Sequence, residues 1–259
     1  MRKQQLSENY QNPMPSNLAE NPHIQGEQPF DPWSRIYVPW MAEFAGTMFF
    51  VLFSNMLGIL LIGDNFKSGL LMAIGIYEGI ILLFLLLSFG QIYLCHFNPA
   101  FTLTSMLCLN TPIFLGFSIL FAQFFGAFIE ISNVSDQFNN SNFGGRFQVF
   151  LLETFCSSIL IISQLFPSIF GHSVIEISLS TSSARAFTSS LTLISPLGQS
   201  GNLARTLANN LLATIFSSSE DYFVWRYFHL YLFAEICSAI IVAAIFWLFK
   251  YAKTSSLRN

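Results

Sequence analysis

Asn98-Pro-Ala-Phe-Thr-Leu-Thr-Ser-Met-Leu and, 104 residues later, Asn202-Leu-Ala-Arg-Thr-Leu-Ala-Asn-Asn-Leu are the two stretches that decide the fold. They are identical at Asn98/Asn202, Ala100/Ala204, Thr102/Thr206, Leu103/Leu207 and Leu107/Leu211, half of the ten positions. The correspondence extends outward: Glu43 in AEFAGT (42–47) stands in one copy where Glu153 in LLETF (151–155) stands in the other, at an offset of 110. The chain therefore reads as one unit written twice.

Each stretch opens on a helix-start signal. Asn is a favoured N-cap because its side-chain oxygen takes up a backbone N–H that the first turn leaves unpaired. Pro99 fits the first helical position, where its missing N–H would have had no partner and its φ is already helical. The second copy carries Leu203 there and loses the preset φ, while Asn202 keeps the cap. The segments 98–108 and 202–212 are too apolar for comfortable loops and too short to cross a bilayer core, which takes roughly 20 residues. They read as re-entrant half-helices.

The remaining chain supplies the spans. Of 259 residues, 53% are hydrophobic and 10% charged, with 30 Phe, a balance that excludes an ordinary soluble domain. Apolar stretches lie near 36–62, 69–94, 111–131, 147–170 and 223–250. A sixth span, near 174–195, is rich in Ser and Thr and holds Glu176 and Arg185, so the repeat calls for it more than hydropathy does. Arg185 either faces a channel or marks a misplaced span. The expected fold is an all-α membrane protein with six transmembrane helices and two re-entrant half-helices in an inverted repeat. Its channel domain covers 36–250, in halves of about 36–131 and 147–250, between a disordered polar tail at 1–35 and a short basic tail at 251–259.

Three spans per copy is an odd number, so the second copy is inverted and the two half-helices enter from opposite faces. Irregular backbone at the midplane is tolerated only where it is buried or lines a cavity, which makes this an architecture for transport. Two helix N-termini facing each other place positive dipole ends at the centre and repel cations. The Asn amides can donate to a passing oxygen, and carbonyls of the preceding segments 90–97 and 196–201 can accept. Such a path suits a neutral solute.

Other features bound the reading. Net charge is −3 with scattered Lys and Arg, so no basic stripe exists to hold nucleic acid. Cys95, Cys108, Cys156 and Cys237 show neither CxxC spacing nor His partners, and buried thiols are expected, with no metal site and no cofactor. Residues 1–35 have no apolar core of the kind a signal peptide needs. Six of the 11 basic residues (Arg2, Lys3, Arg35, Lys250, Lys253, Arg258) lie in the tails, which favours cytoplasmic termini. The connection 132–146 then faces outward with two N-x-S sequons, at Asn133 and Asn139, candidates for glycosylation.

With AEFAGT at 42–47, GQIYLCHFNPAFTL at 90–103, QFFGA at 123–127, LLETF at 151–155 and SGNLARTL at 200–207, the chain resembles the aquaporin, or major intrinsic protein, family over nearly its whole length after residue 36. The resemblance implies a channel for water and small uncharged solutes, not an enzyme, assembled as a homotetramer in the lipid bilayer. It assigns the pore motifs to Asn98-Pro99-Ala100 and Asn202-Leu203-Ala204, and an outer selectivity filter to Arg205. Counted without gaps from the two Asn anchors, the other filter positions are Glu78, Ser190 and Gln199, and a Glu78–Arg205 pairing across the mouth is expected from that register. Glu43 and Glu153 resemble the family's buried carboxylates that hold the half-helix loops. His96 borders the pore, as a packing residue or a pH gate. Thr206 follows the filter Arg where glycerol-conducting relatives commonly carry Asp, which leans toward water. The lost proline and the polar filter keep two alternatives open: a poorly conducting junctional or scaffold protein, or a glycerol, urea or peroxide facilitator. The plasma membrane is expected ahead of an internal membrane.

Overall fold

The computed structural model describes residues 31, 33–61, 69–93, 95–128, 143–191, 200–216 and 225–256. Most of the N-terminal tail, the sequons at Asn133 and Asn139, and Gln199 lie outside the described residues. A π-helical turn, Trp33–Tyr37, leads into α1 (Val38–Leu61), followed by α2 (Gly69–Phe89), α3 (Pro99–Leu107), α4 (Ile113–Phe128), α5 (Phe143–Ile169), α6 (Val174–Ser190), α7 (Leu203–Phe216) and α8 (Phe228–Ser256). The apolar stretches read from the sequence fall on α1, α2, α4, α5 and α8, the Ser-rich one on α6, and the two short repeats on α3 and α7. Helix α2 stops at Phe89, before the expected end at 94, because the chain turns at Gly90, where Ile92 and Tyr93 N–H both bond back to Phe89 O. Among the described residues, Trp33–Met56, Gly145–Ile169 and Phe228–Tyr251 are long and apolar enough to cross a membrane, and Ala73–Phe89 and Ile113–Phe128 are shorter apolar helices.

Local chemistry accounts for the boundaries. Helix α3 begins at Pro99 behind Asn98, whose extended backbone (φ −150°) and side chain cap the first turn. Helix α6 begins behind a capping box in which Ser173 Oγ accepts from Glu176 N–H and the Glu176 carboxylate accepts from Ser173 N–H, pairing two donors that the helix start leaves orphaned. Pro167 sits in the last turn of α5, where the hydrogen bond it cannot make weakens only the helix end.

The packing pattern of the first half recurs in the second. Helix α1 packs on α2 and α4, as α5 packs on α6 and α8. The short helices pack across the repeat: α3 against α8, and α7 against α4. Helices α2 and α6 meet across the centre, and α3 meets α7. One apolar cluster joins Phe50, Val51, Leu85 and Phe97 to Ala204 and Ala208; another joins Phe101, Ile161, Leu165, Val242 and Phe246. The outer surface carries large apolar groups such as Phe114, Phe117, Phe121 and Phe125 along α4, while Glu43, Glu78, Glu153, Arg185 and Glu235 are buried. That distribution reverses the usual soluble pattern and matches a surface solvated by hydrocarbon.

Candidate functional site

The two asparagines cap their helices in the same way. Asn98 Oδ1 accepts from Ala100 N–H at 2.9 Å, and Asn202 Oδ1 accepts from Ala204 N–H at 3.0 Å. Each amide nitrogen then crosses to the opposite half. Asn98 Nδ2 donates to Gly201 O at 2.9 Å, and Asn202 Nδ2 donates to Phe97 O at 2.7 Å. The residue before each asparagine is left-handed, Phe97 at φ 51° and Gly201 at φ 58°, and that turn aims its carbonyl at the other half's amide. Gly201 adopts it without steric cost. Phe97 does so at about 1–3 kcal/mol, held by a ring packed so closely on Gly46 that any Cβ there would overlap it.

A buried carboxylate stands behind each turn. Glu43 accepts from His96 N–H at 2.5 Å and from Phe97 N–H at 2.8 Å. Glu153 accepts from Ser200 N–H at 3.2 Å and from Gly201 N–H at 2.6 Å. In the first half Gln123 braces the arrangement, donating to Glu43 at 2.8 Å and to Thr102 at 2.9 Å. The matching place in α8 is Glu235, since AQFFGA at 122–127 lies over AEICSA at 234–239. Glu235 is fully buried, with Glu153 its acidic neighbour, and it was not singled out from sequence although this repeat could have found it.

A charged cluster sits beside the second cap. Glu78 Oε1 accepts from Arg205 Nη1 at 2.7 Å, and Oε2 accepts from Arg185 Nη2 at 2.7 Å and from Ser189 Oγ at 2.5 Å. Arg205 Nε donates to Asn55 Oδ1 at 2.9 Å, and Asn55 donates to Asn209 at 2.7 Å. One carboxylate from α2 thus fixes a guanidinium on α6 and another on α7. A buried pair offsets the cost of desolvation only when its remaining donors and acceptors are met; here both carboxylate oxygens are, and Arg185 Nε is not.

The sequence-derived residues are therefore placed as follows. Asn98, Asn202, Phe97 and Gly201 come together, with Pro99 opening α3, Leu203 opening α7, and Ala100 and Ala204 receiving the caps. Arg205 and Glu78 meet. Ser190 Oγ instead donates to Ala186 O of its own helix at 2.7 Å and rests on Gly75; Ser189, one residue earlier, is the serine that reaches Glu78. His96 is buried, its Nδ1 3.0 Å from Thr102 Oγ1. A cavity of about 30 Å³ lies between Asn98 and Asn202, with His96, Gln164, Thr181 and Arg185 in its wall, room for roughly one or two waters. Cys95, Cys108 and Cys156 are buried and unbridged.

With this geometry in view, comparison with known proteins gives a family model described as Major intrinsic protein, matching residues 33–246. No individual curated protein matches the chain significantly.

Proposed function

This chain belongs to the major intrinsic protein family, membrane channels for water or small solutes, and we propose that it conducts water between its two Asn-capped half-helices. The observation that carries the reading is the reciprocal pair of hydrogen bonds, Asn98 to Gly201 O and Asn202 to Phe97 O. It supports two half-helices, α3 and α7, that enter from opposite faces and stop at the midplane, with the other six helices spanning. Each asparagine uses one amide hydrogen on the opposite half and retains another for a solute oxygen. Both helix N-termini repel cations there.

Arg205 serves as the outer filter with Glu78 and Gln199, and Ser189 takes the place that counting gave to Ser190; Glu43 and Glu153 hold the loops, and His96 borders the inner vestibule. The channel acts as a homotetramer in the plasma membrane with cytoplasmic termini, glycosylated outside at Asn133 or Asn139. Thr206 after the filter arginine favours water over glycerol.

Leu203 in the place that Pro99 takes in the first copy, together with the polar filter positions, motivates a second reading, a poorly conducting scaffold on the same fold. Osmotic shrinkage of proteoliposomes in a stopped flow separates the two. A channel speeds shrinkage above that of empty vesicles; a rate equal to empty vesicles, with the protein verified in the bilayer, supports the scaffold.

A further inference from the structure

Arg185 lies outside every motif that carries the family resemblance, yet it occupies the centre of the site. Thr181, Arg185 and Ser189 follow one another at a spacing of four on α6 and so share one face of the helix. Thr181 and Arg185 both line the cavity with Asn98, Asn202 and Gly201, and Arg185 is the one Arg, Lys, Asp or Glu among the lining residues. Arg205 is absent from that wall, its Nε turned to Asn55 and its Nη1 to Glu78. The guanidinium that lines this cavity is therefore that of Arg185.

The guanidinium of Arg185 is held from several sides. Nη2 donates to Glu78 Oε2 at 2.7 Å and to Ser200 O at 3.1 Å. Its carbon lies 5.2 Å from the centroid of the Phe50 ring, a cation–π distance. Gly201 leaves it room, since a Cβ there would overlap Nη1. Only 2% of the residue is exposed, and Nε is buried with no protein partner.

We infer that Arg185 is a specificity-determining residue of the channel: a clamped guanidinium beside Asn98 and Asn202 that leaves room for water and excludes urea and larger neutral solutes. Glu78 is the clamp that holds the guanidinium in the cavity wall. The inference rests on the channel reading of this site. A purely structural Arg185 would tie α2 to α6 without affecting which solute passes, so the solute ratio is the discriminating readout.

The test uses the full chain in proteoliposomes, as wild type, Arg185→Ala and Arg185→Gln, with water and urea permeability taken from stopped-flow light scattering. The urea-to-water ratio should rise severalfold in Arg185→Ala. It should rise less in Arg185→Gln, whose amide still reaches toward Glu78 and Ser200 O; this variant is read if Arg185→Ala does not insert. A ratio unchanged from wild type in the inserted variant overturns the inference while leaving the channel reading intact. If wild type passes no more water than lipid alone, the channel reading fails. In that case the inference survives only if Arg185→Ala opens the path, and an equally silent variant overturns it too.

Discussion

Replacing Glu43 by Ala removes the acceptor that fixes the loop ahead of α3. Three donors point at this buried carboxylate: His96 N–H, Phe97 N–H and Gln123 Nε2. Gln123 keeps Thr102 Oγ1 as a second partner at 2.9 Å, so two backbone donors are left unpaired in a site closed to solvent. At about 1–3 kcal/mol for each orphaned group, the loss is about 2–6 kcal/mol. For a chain of this size, with a shift of about 2–4 °C per kcal/mol, the fall in Tm is about 10 °C. Glu43→Gln keeps one acceptor oxygen and should lose about half as much. The assay is thermal unfolding of detergent-purified protein together with monodisperse yield. Because Glu43 acts behind the loop, the protein that does fold should keep the wild-type urea-to-water ratio. A Glu43→Ala protein with wild-type Tm and yield would refute the reasoning, since the loop amides would then need no buried acceptor.

Glu78→Gln leaves Arg185 and Arg205 without their shared counter-charge and should cost about 3–5 kcal/mol, read as lowered Tm; it should also change solute selectivity, and unchanged selectivity would remove Glu78 from the filter. Leu203→Pro supplies at the first position of α7 the residue that Pro99 supplies in α3, and should raise stability by about 0.4–1 kcal/mol, seen as a higher Tm with water permeability retained. Gly126→Ala drives a Cβ into Phe44 O, where α4 meets α1, and should destabilise by about 1–3 kcal/mol, measured by the same thermal assay.

How much of this was legible follows from the physics of each signal. The starts of α3 and α7 could be read because capping is local: an Asn, the residue after it, and a repeat to confirm both. Glu43 and Glu153 were legible as matching places in the two copies. Helix α6 was nearly hidden, because its polar groups answer to the helix itself: Ser178 Oγ donates to Val174 O, Thr181 Oγ1 to Ile177 O and Ser183 Oγ to Leu179 O. Hydropathy counts those hydroxyls as polar although the helix satisfies them. Arg185 had no readable partner because Glu78 belongs to another helix and the register that paired Glu78 with Arg205 assigned no place to residue 185. Ser190 against Ser189 is a register difference of one residue, which a count from a distant anchor does not resolve because one step turns a helix by about 100°.

The central claim is that the Asn98 and Asn202 caps meet to form a passage for uncharged molecules. One preparation of wild-type proteoliposomes, divided between osmotic shrinkage and ion flux under a potassium diffusion potential, tests it most directly. The account predicts water flux above the lipid background with no ionic leak above that of empty vesicles. Ion leak in these vesicles, or water flux no faster than bare lipid, would contradict it.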